Sequence, residues 1–428
     1  MELGKYSLKT VHLVDELDPD VFVSDDLLKT MKIERDKMSS TKVINLKHYR
    51  SGQLKPVFPD GKLMYHLLKE ASYDTLKKYV PLHLIDSLKE SLSDPDVFFR
   101  WHCTNGYFID GIKLTRLLDI DDPGIMKIVT KVNRSSPILD LLYNSFISLD
   151  VQHDYEVNEY VMTEFKSHIL NMKIVHENQL SSKLLKDINF LVNYMYNRWY
   201  HDVKMVHLTI LLSKRKKMLR RINGTVITPC HINSGVTIFG KAVCIWREEE
   251  ITKVLIHELI HLFGYDIKGS SNKVRKWVMN RFGIEGMCNP NEALTEMMAV
   301  IIHTAFISLR LSLPLLQLAK YELGHQFIQM AKLLIFFGLD SLADLKHVKQ
   351  STNGISYFFI KTALINCFHD NLDRYTRINE TELLYLISKS LNNHHLGKKI
   401  KDVMGKLSTV PSYATKNLRM TALQLNYL

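Results

Sequence analysis

The sequence predicts an α+β protein that is mostly helical, with a few strands standing ahead of one central helix. Three observations carry this expectation. Val206-His-Leu-Thr-Ile-Leu-Leu-Ser213 is a short apolar run of strand length. Residues 233–240 and 241–247 are two further strand-like stretches that meet at a Gly240-Lys241 turn. Beyond residue 250 the apolar positions take helical spacing. The 428 residues suffice for two or three domains with a real core. With 46% hydrophobic and 24% charged residues, the composition is that of an ordinary folded chain rather than a disordered one.

Residues 1–55 are polar, with Asp15-Glu-Leu-Asp-Pro-Asp20 and Met38-Ser-Ser-Thr41, and are expected to form an extension with little core of its own. Residues 56–130 are expected to be a small N-terminal domain of unknown role. It would have helices at 63–78 and 82–92, a strand or turn at 106–111 and a turn at Asp121-Asp-Pro-Gly124. Asp110, Asp119, Asp121 and Asp122 lack calcium-loop spacing and are expected to be solvated turn residues. Residues 131–428 form the main domain, with helices expected at 139–149, 157–172 and 182–199 and a helical C-terminal part. The apolar stretch 297–318 is interrupted by His303, Arg310 and Pro314, so a pair of buried helices is expected there and no transmembrane segment.

The central stretch is Val254-Leu-Ile-His257-Glu258-Leu-Ile-His261-Leu-Phe-Gly264. On a helix, positions i and i+4 share one face, so His257 and His261 can both reach one zinc ion. Glu258 adjoins the first histidine, where a general base toward the attacking water stands. Leu255, Leu259 and Leu262 face the other way and would pack in a core. Two surface histidines on an amphipathic helix are the plainer alternative, and a third ligand decides between them. A histidine three residues past Gly264 would serve, but Ile267 stands there and Asp266 falls one residue short. A later helix offers Asn289-Pro290-Asn291-Glu292-Ala293-Leu294-Thr295-Glu296, with Asn289 as N-cap and Pro290 as first residue. Glu292 and Glu296 share a face; one can bind zinc while the other fixes a ligand histidine through its far nitrogen. His303 is three turns beyond Glu292, about 16 Å along the axis, so it is expected to be structural or to contact substrate.

This segment resembles the Asn-Glu-Ala-hydrophobic-Ser/Thr-acid helix of the thermolysin-like zinc peptidases, the gluzincins. The resemblance implies a zincin-like core, Glu292 as the zinc ligand and Glu296 as the orienter. The order Asn233-Ser-Gly-x-Thr237, Ile245-x-Arg-x-Glu-x-x-x-Lys-Val-x-Ile-His-Glu258, the Glu292 helix and Thr352-Asn353-Gly-Ile-Ser356-Tyr357-Phe-Phe-Ile-Lys361 is similar to a family of proposed metallopeptidases of giant DNA viruses. That similarity spans about residues 205–370. An Asn-x-x-x-Lys-Lys element of the family is only partly present, as Lys216-Lys217. The function implied is hydrolysis of peptide bonds with Zn2+ as cofactor and a protein or peptide as substrate. Such a reaction needs a donor for the oxyanion, for which Tyr357 and then His325 are candidates, with Asn353 and Ser356 adding donors. Residues 236–246 are offered as the strand that pairs with extended substrate.

The net charge of +11 permits an anionic partner without requiring one. The run Lys214-Arg-Lys-Lys-Met-Leu-Arg-Arg221 would be its focus, for nucleic acid or as a nuclear signal, although a solvated loop also explains it. Glu248, Glu249 and Glu250 are expected to charge the first turn of the histidine helix. Five scattered cysteines, none in a Cys-x-x-Cys pair, and no signal-like start favour an intracellular setting, host cytoplasm or virion, over secretion. The rival expectations are a virion structural or interaction protein with an idle zincin fold, and a basic nucleic-acid-associated protein.

Overall fold

The computed structural model describes residues 2–17, 19, 21–54, 160–177, 179–219, 226–266, 272–284, 287–407 and 416–427, with residue 151 and short pieces between 65 and 97. The turns and helices expected at 106–111, 121–124 and 139–149 lie outside the described residues. The chain divides into two compact units. Residues 1–49, 164–173 and 179–428 make the first, and residues 50–163 with 174–178 the second. In the second unit, helices α3 (Tyr73–Tyr79) and α4 (Leu82–Ser91) pack together over Leu76, Ile85 and Leu88.

The strands are β1 (Lys47–Leu54), β2 (Tyr160–Lys166), β3 (Leu170–His176), β4 (Val206–Leu211), β5 (Val226–Ile227), β6 (Gly235–Ile238), β7 (Ala242–Ile245) and β8 (Lys349–Gln350). Six of them form a sheet in the order β1-β2-β3-β4-β7-β6, and β5 pairs with β8. β4 runs parallel to β7 with His207 opposite Ala242, whereas β6 is antiparallel to β7 with Gly235 opposite Ile245. The mixed sheet beside many helices agrees with an α+β class. The helix expected at 157–172 is replaced by β2 and the start of β3. Leu170, Met172 and Ile174 are buried while Asn171 and Lys173 between them are half-buried, a period of two that outweighs the helical spacing.

In the first unit the helices surround a buried pair. α6 (Ile251–Phe263) is buried along its whole length, because it is apolar on every side except for the motif residues, Thr252 and Lys253. It stops at Gly264, whose φ of 69° is the left-handed region, and Tyr265 N–H closes back on the Ile260 carbonyl at 3.0 Å. α7 (Asn272–Phe282) follows, and α8 (Pro290–Leu311) begins at Asn289, whose side chain accepts from Asn291 N–H at 3.2 Å, with Pro290 in its first turn. α6 packs on α8, and α5 (Ser182–Arg198) packs on α6. α8 ends at Leu311, and α9 (Leu315–Phe337) starts after Pro314, so the stretch 297–318 is a helix end, a turn and a helix start. By length and composition α8 is apolar enough to cross a bilayer, and 83% of that stretch is buried inside the protein.

Residues 1–49 correct the expectation of a bare extension. α1 (Lys5–Leu17) packs on α9, and α2 (Asp25–Ser39) packs on α8 through Leu27, Met31 and Met38. Glu34 of α2 is buried and accepts from Arg198 at 2.6 and 2.9 Å and from the Tyr194 hydroxyl. Spacing alone hid this, because Glu34 lies on the buried face as a charged residue. A π-helical turn, Ser356–Ile360, runs directly into α10 (Lys361–Asn366) and packs on α8. α11 (Glu380–Leu391) covers α10, and α12 (His394–Leu407) covers α9. Residues 416–427 then thread the interior of this unit, with Leu418, Met420, Ala422, Leu423 and Leu425 all buried.

Two charge expectations are also corrected. Glu250 caps α6 with φ 60° instead of charging its first turn, and its carboxylate is buried against Lys217 at 2.6 Å and Thr421 N–H at 2.7 Å. Burial raises the Glu250 carboxyl pKa, but the charges of Lys217, Lys253 and Arg419 outweigh it and hold it down at about 2. Lys217, within the basic run, therefore points inward and is 1% exposed. Arg220 and Arg221 lie outside the described residues.

Candidate metal centre

His257 and His261 sit one turn apart on α6, and Glu292 sits in the first turn of α8. The His257 and His261 Nε2 atoms are 3.1 Å apart. Glu292 Oε2 lies 3.4 Å from the first and 3.5 Å from the second. All three ligand atoms fall within 4.8 Å of one another. Donors 2.0–2.2 Å from a tetrahedral zinc stand about 3.3–3.6 Å apart. The residues present therefore fit a zinc ion.

The far sides of both rings are held. His257 Nδ1 lies 2.8 Å from Glu296 Oε2, and His261 Nδ1 lies 3.0 Å from Asp266 Oδ2. A ring whose Nδ1–H donates to a carboxylate has its lone pair at Nε2. Two such lone pairs and a carboxylate oxygen then converge on one point, where the three could hold a metal ion. A proton is the weaker substitute. Burial disfavours charge on His257, but its bonds to Glu292 and Glu296 raise its pKa, and Glu292 and Asp266 raise that of His261 well above the ordinary value.

Glu258 borders the same cavity as His257, and its carboxylate lies against β6. The Thr237 hydroxyl donates to its Oε2 at 2.7 Å and contacts its backbone carbonyl oxygen at 2.9 Å. Gly235 is required beside it, since a Cβ there would stand 2.6 Å from Glu258 Oε1 and 2.8 Å from its Cγ. The Tyr357 hydroxyl donates to Glu292 Oε2 at 2.9 Å, and its ring stands edge-on to His257 at 6.1 Å. Burial and the Glu292 charge push the Tyr357 pKa well above its ordinary range, so it stays a donor.

The search found no family model, no curated protein and no solved structure that matches the chain. The structure brings together His257, His261, Glu292, Glu296, Glu258 and Tyr357. It does not bring His325 to them. His325 is 2% exposed inside α9 and its Nε2 donates to the Arg419 carbonyl at 3.1 Å. Burial and the nearby Lys332 and Arg419 charges push its pKa well below the ordinary value, so it is a neutral packing residue. Asn353 and Ser356 are engaged elsewhere. Asn353 accepts from Asn289 N–H at 2.9 Å, which ties the start of α8 to the π turn, and Ser356 Oγ lies 3.7 Å from Cys288 Sγ. His303 is fully buried with its Nε2 3.0 Å from the Thr252 hydroxyl oxygen, and burial pushes its pKa down to about 3. Of the residues 236–246 offered as a substrate strand, only those in β6 are at the sheet edge, because β7 is paired on both sides.

Sequence reasoning missed Asp266, Thr237, Gly235 and Lys253. Asp266 was weighed as a ligand, whereas the turn at Gly264 swings it behind His261. Lys253 gave a usable signal: a lysine on the otherwise apolar start of α6 needs a buried counterion, and Glu296 supplies it at 2.6 Å.

Proposed function

We propose that this chain is a zinc-dependent peptidase, with zinc held by His257, His261 and Glu292. The observation that carries the proposal is the convergence of two histidine Nε2 atoms and one Glu292 oxygen within 3.1–3.5 Å, each histidine fixed from behind by a carboxylate. Zinc, when bound there, supplies a Lewis acid that polarises a scissile carbonyl and acidifies water. The remaining chemistry belongs to side chains. Glu258, held by Thr237, takes the proton of the attacking water and hands it to the leaving amine. Tyr357, released from Glu292, donates to the oxyanion of the tetrahedral intermediate. Glu296 and Asp266 keep both imidazoles in the ligating tautomer. β6, at the edge of the sheet, offers main-chain groups to an extended peptide, and Ile238 and Phe239 beside it are exposed.

The test is the zinc content of the purified chain and of His257→Ala. One tightly bound zinc per wild-type chain that is lost in the variant supports the proposal. A folded wild type that takes up no zinc refutes it and favours a fold that keeps the motif without the metal.

A further inference from the structure

Beside Glu258 lies a second feature, which also borders His257, Glu296 and Tyr357. It is a cavity of about 50 Å³ between the start of β6, the first turns of α6 and the buried segment at Met420. Its walls include Lys217, Ser234, Lys253 and Met420 beside His257 and Glu258. Ile232 and Val254 complete the apolar part of its lining.

Open hydrogen-bond donors outnumber open acceptors in this cavity. Ser234 is 4% exposed and its hydroxyl has no partner. Lys217 Nζ spends one donor on Glu250 at 2.6 Å, which leaves two of its three N–H groups. Lys253 Nζ is committed to Glu296 at 2.6 Å and Met420 Sδ at 3.4 Å, which leaves one. On the acceptor side, Thr237 occupies Glu258 Oε2 and Lys253 occupies Glu296 Oε1, while Glu296 Oε2 lies 2.8 Å from His257 Nδ1 and Glu258 Oε1 is open. Buried donors without acceptors are costly, and a ligand that brings an acceptor relieves that cost.

Position decides what that ligand is, and here the argument rests on the peptidase function proposed above. The base that accepts the water's proton delivers it to the leaving nitrogen, so the residue carrying that nitrogen lies beside Glu258. We infer that this cavity receives the side chain of the residue that follows the scissile bond, and that it selects short side chains bearing a hydrogen-bond acceptor, aspartate and asparagine. The volume agrees. A water-sized group needs about 10–15 Å³ on this measure, so the cavity holds roughly three to five such groups, which admits a carboxymethyl or carboxamidomethyl group. Leucine, phenylalanine and arginine side chains exceed it, and a lysine or arginine would meet Lys217 and Lys253.

The experiment uses the full chain loaded with Zn2+ and a denatured mixture of cellular proteins as substrate, with Glu258→Gln as the blank. New N-termini are identified by mass spectrometry, and zinc per chain is measured in the same preparations. Aspartate and asparagine are expected at the new N-termini at roughly tenfold to hundredfold over leucine, the range for one or two bonds to charged donors. Ser234→Val is expected to cut that preference several-fold with zinc content unchanged. Glu258-dependent cleavage ahead of leucine, phenylalanine or lysine, or a preference untouched by Ser234→Val, overturns this inference and leaves the peptidase function standing. Zinc uptake with no Glu258-dependent cleavage overturns both.

Discussion

Glu296 does two jobs, and removing its charge separates them. Its Oε1 lies 2.6 Å from Lys253 Nζ and 3.9 Å from Lys361 Nζ, and its Oε2 lies 2.8 Å from His257 Nδ1. All three partners are buried. At an effective dielectric of about 20, unit charges at those two lysine distances attract by about 6 and about 4 kcal/mol, most of which offsets desolvation. Breaking one partner out of a buried pair costs about 3–5 kcal/mol, because the remaining charge is stranded. Glu296→Gln keeps the volume and one acceptor but strands Lys253 and Lys361. In metal-stripped protein, urea unfolding is expected to show a loss of about 3–5 kcal/mol. Adding Lys253→Met removes one stranded charge and is expected to recover about half of it. In metal-loaded protein the same variant is expected to lower zinc affinity by about 10–100-fold, as His257 loses the carboxylate that fixes its tautomer. A single-variant loss below about 1 kcal/mol, or a double variant less stable than the single, would refute the buried-counterion reasoning.

Further variants divide the roles around the centre. Glu258→Gln is expected to keep zinc and lose hydrolysis, whereas Glu292→Ala is expected to weaken zinc itself; full zinc occupancy in Glu292→Ala by metal analysis would contradict the ligand assignment. Gly235→Ala forces Glu258 away from Thr237, and is expected to lower kcat by about 10–100-fold, the value of one hydrogen bond to a charged group, with unchanged zinc content. Thr237→Val is expected to act alike and Thr237→Ser to restore activity, so equal loss in both would count against the hydrogen bond. Lys332 is buried, and burial together with Arg419 pulls its amine down from 10.5 to about 7. Between about pH 7 and 10 the unfolded chain holds the extra proton, so stability is expected to rise with pH by up to about 1.4 kcal/mol per unit. Below that window both states are protonated and the penalty is fully present. Lys332→Met is expected to raise stability at pH 7 and flatten that rise in urea titrations; an unchanged slope would show that Lys332 is not its source.

What the sequence disclosed was local. His257, Glu258 and His261 follow from helical spacing alone, and Glu292 with Glu296 follows from a cap, a proline and the same spacing. The β6–β7 hairpin was legible because Gly240 marks its turn. The parts that stayed hidden depend on contacts between distant segments. Asp266 reaches His261 only through the left-handed turn at Gly264. Lys217 sat in a run that a solvated loop explains, and only pairing with Glu250 makes its burial tolerable. His325 carried the right functional group, but nothing in its neighbours announced that α9 turns it toward Arg419. The strands at 160–176 were misread because mixed spacing in a short window fits both periods, and sheet pairing decided the matter.

The buried path of residues 416–427 has a bearing on how the molecule comes into being. Thr421 N–H closes on Glu250 at the mouth of α6, and Met420 forms part of the wall behind Glu258. The histidine helix therefore cannot be seated when it leaves the ribosome. It waits for a strap synthesised much later, and contacts so far apart in the chain form slowly. Until that strap is drawn in, Lys217, Lys253 and Lys361 lack the dry surroundings that lock their counterions in place. A nascent chain would thus carry the residues of the candidate centre without its shape, and that geometry would be completed late in folding.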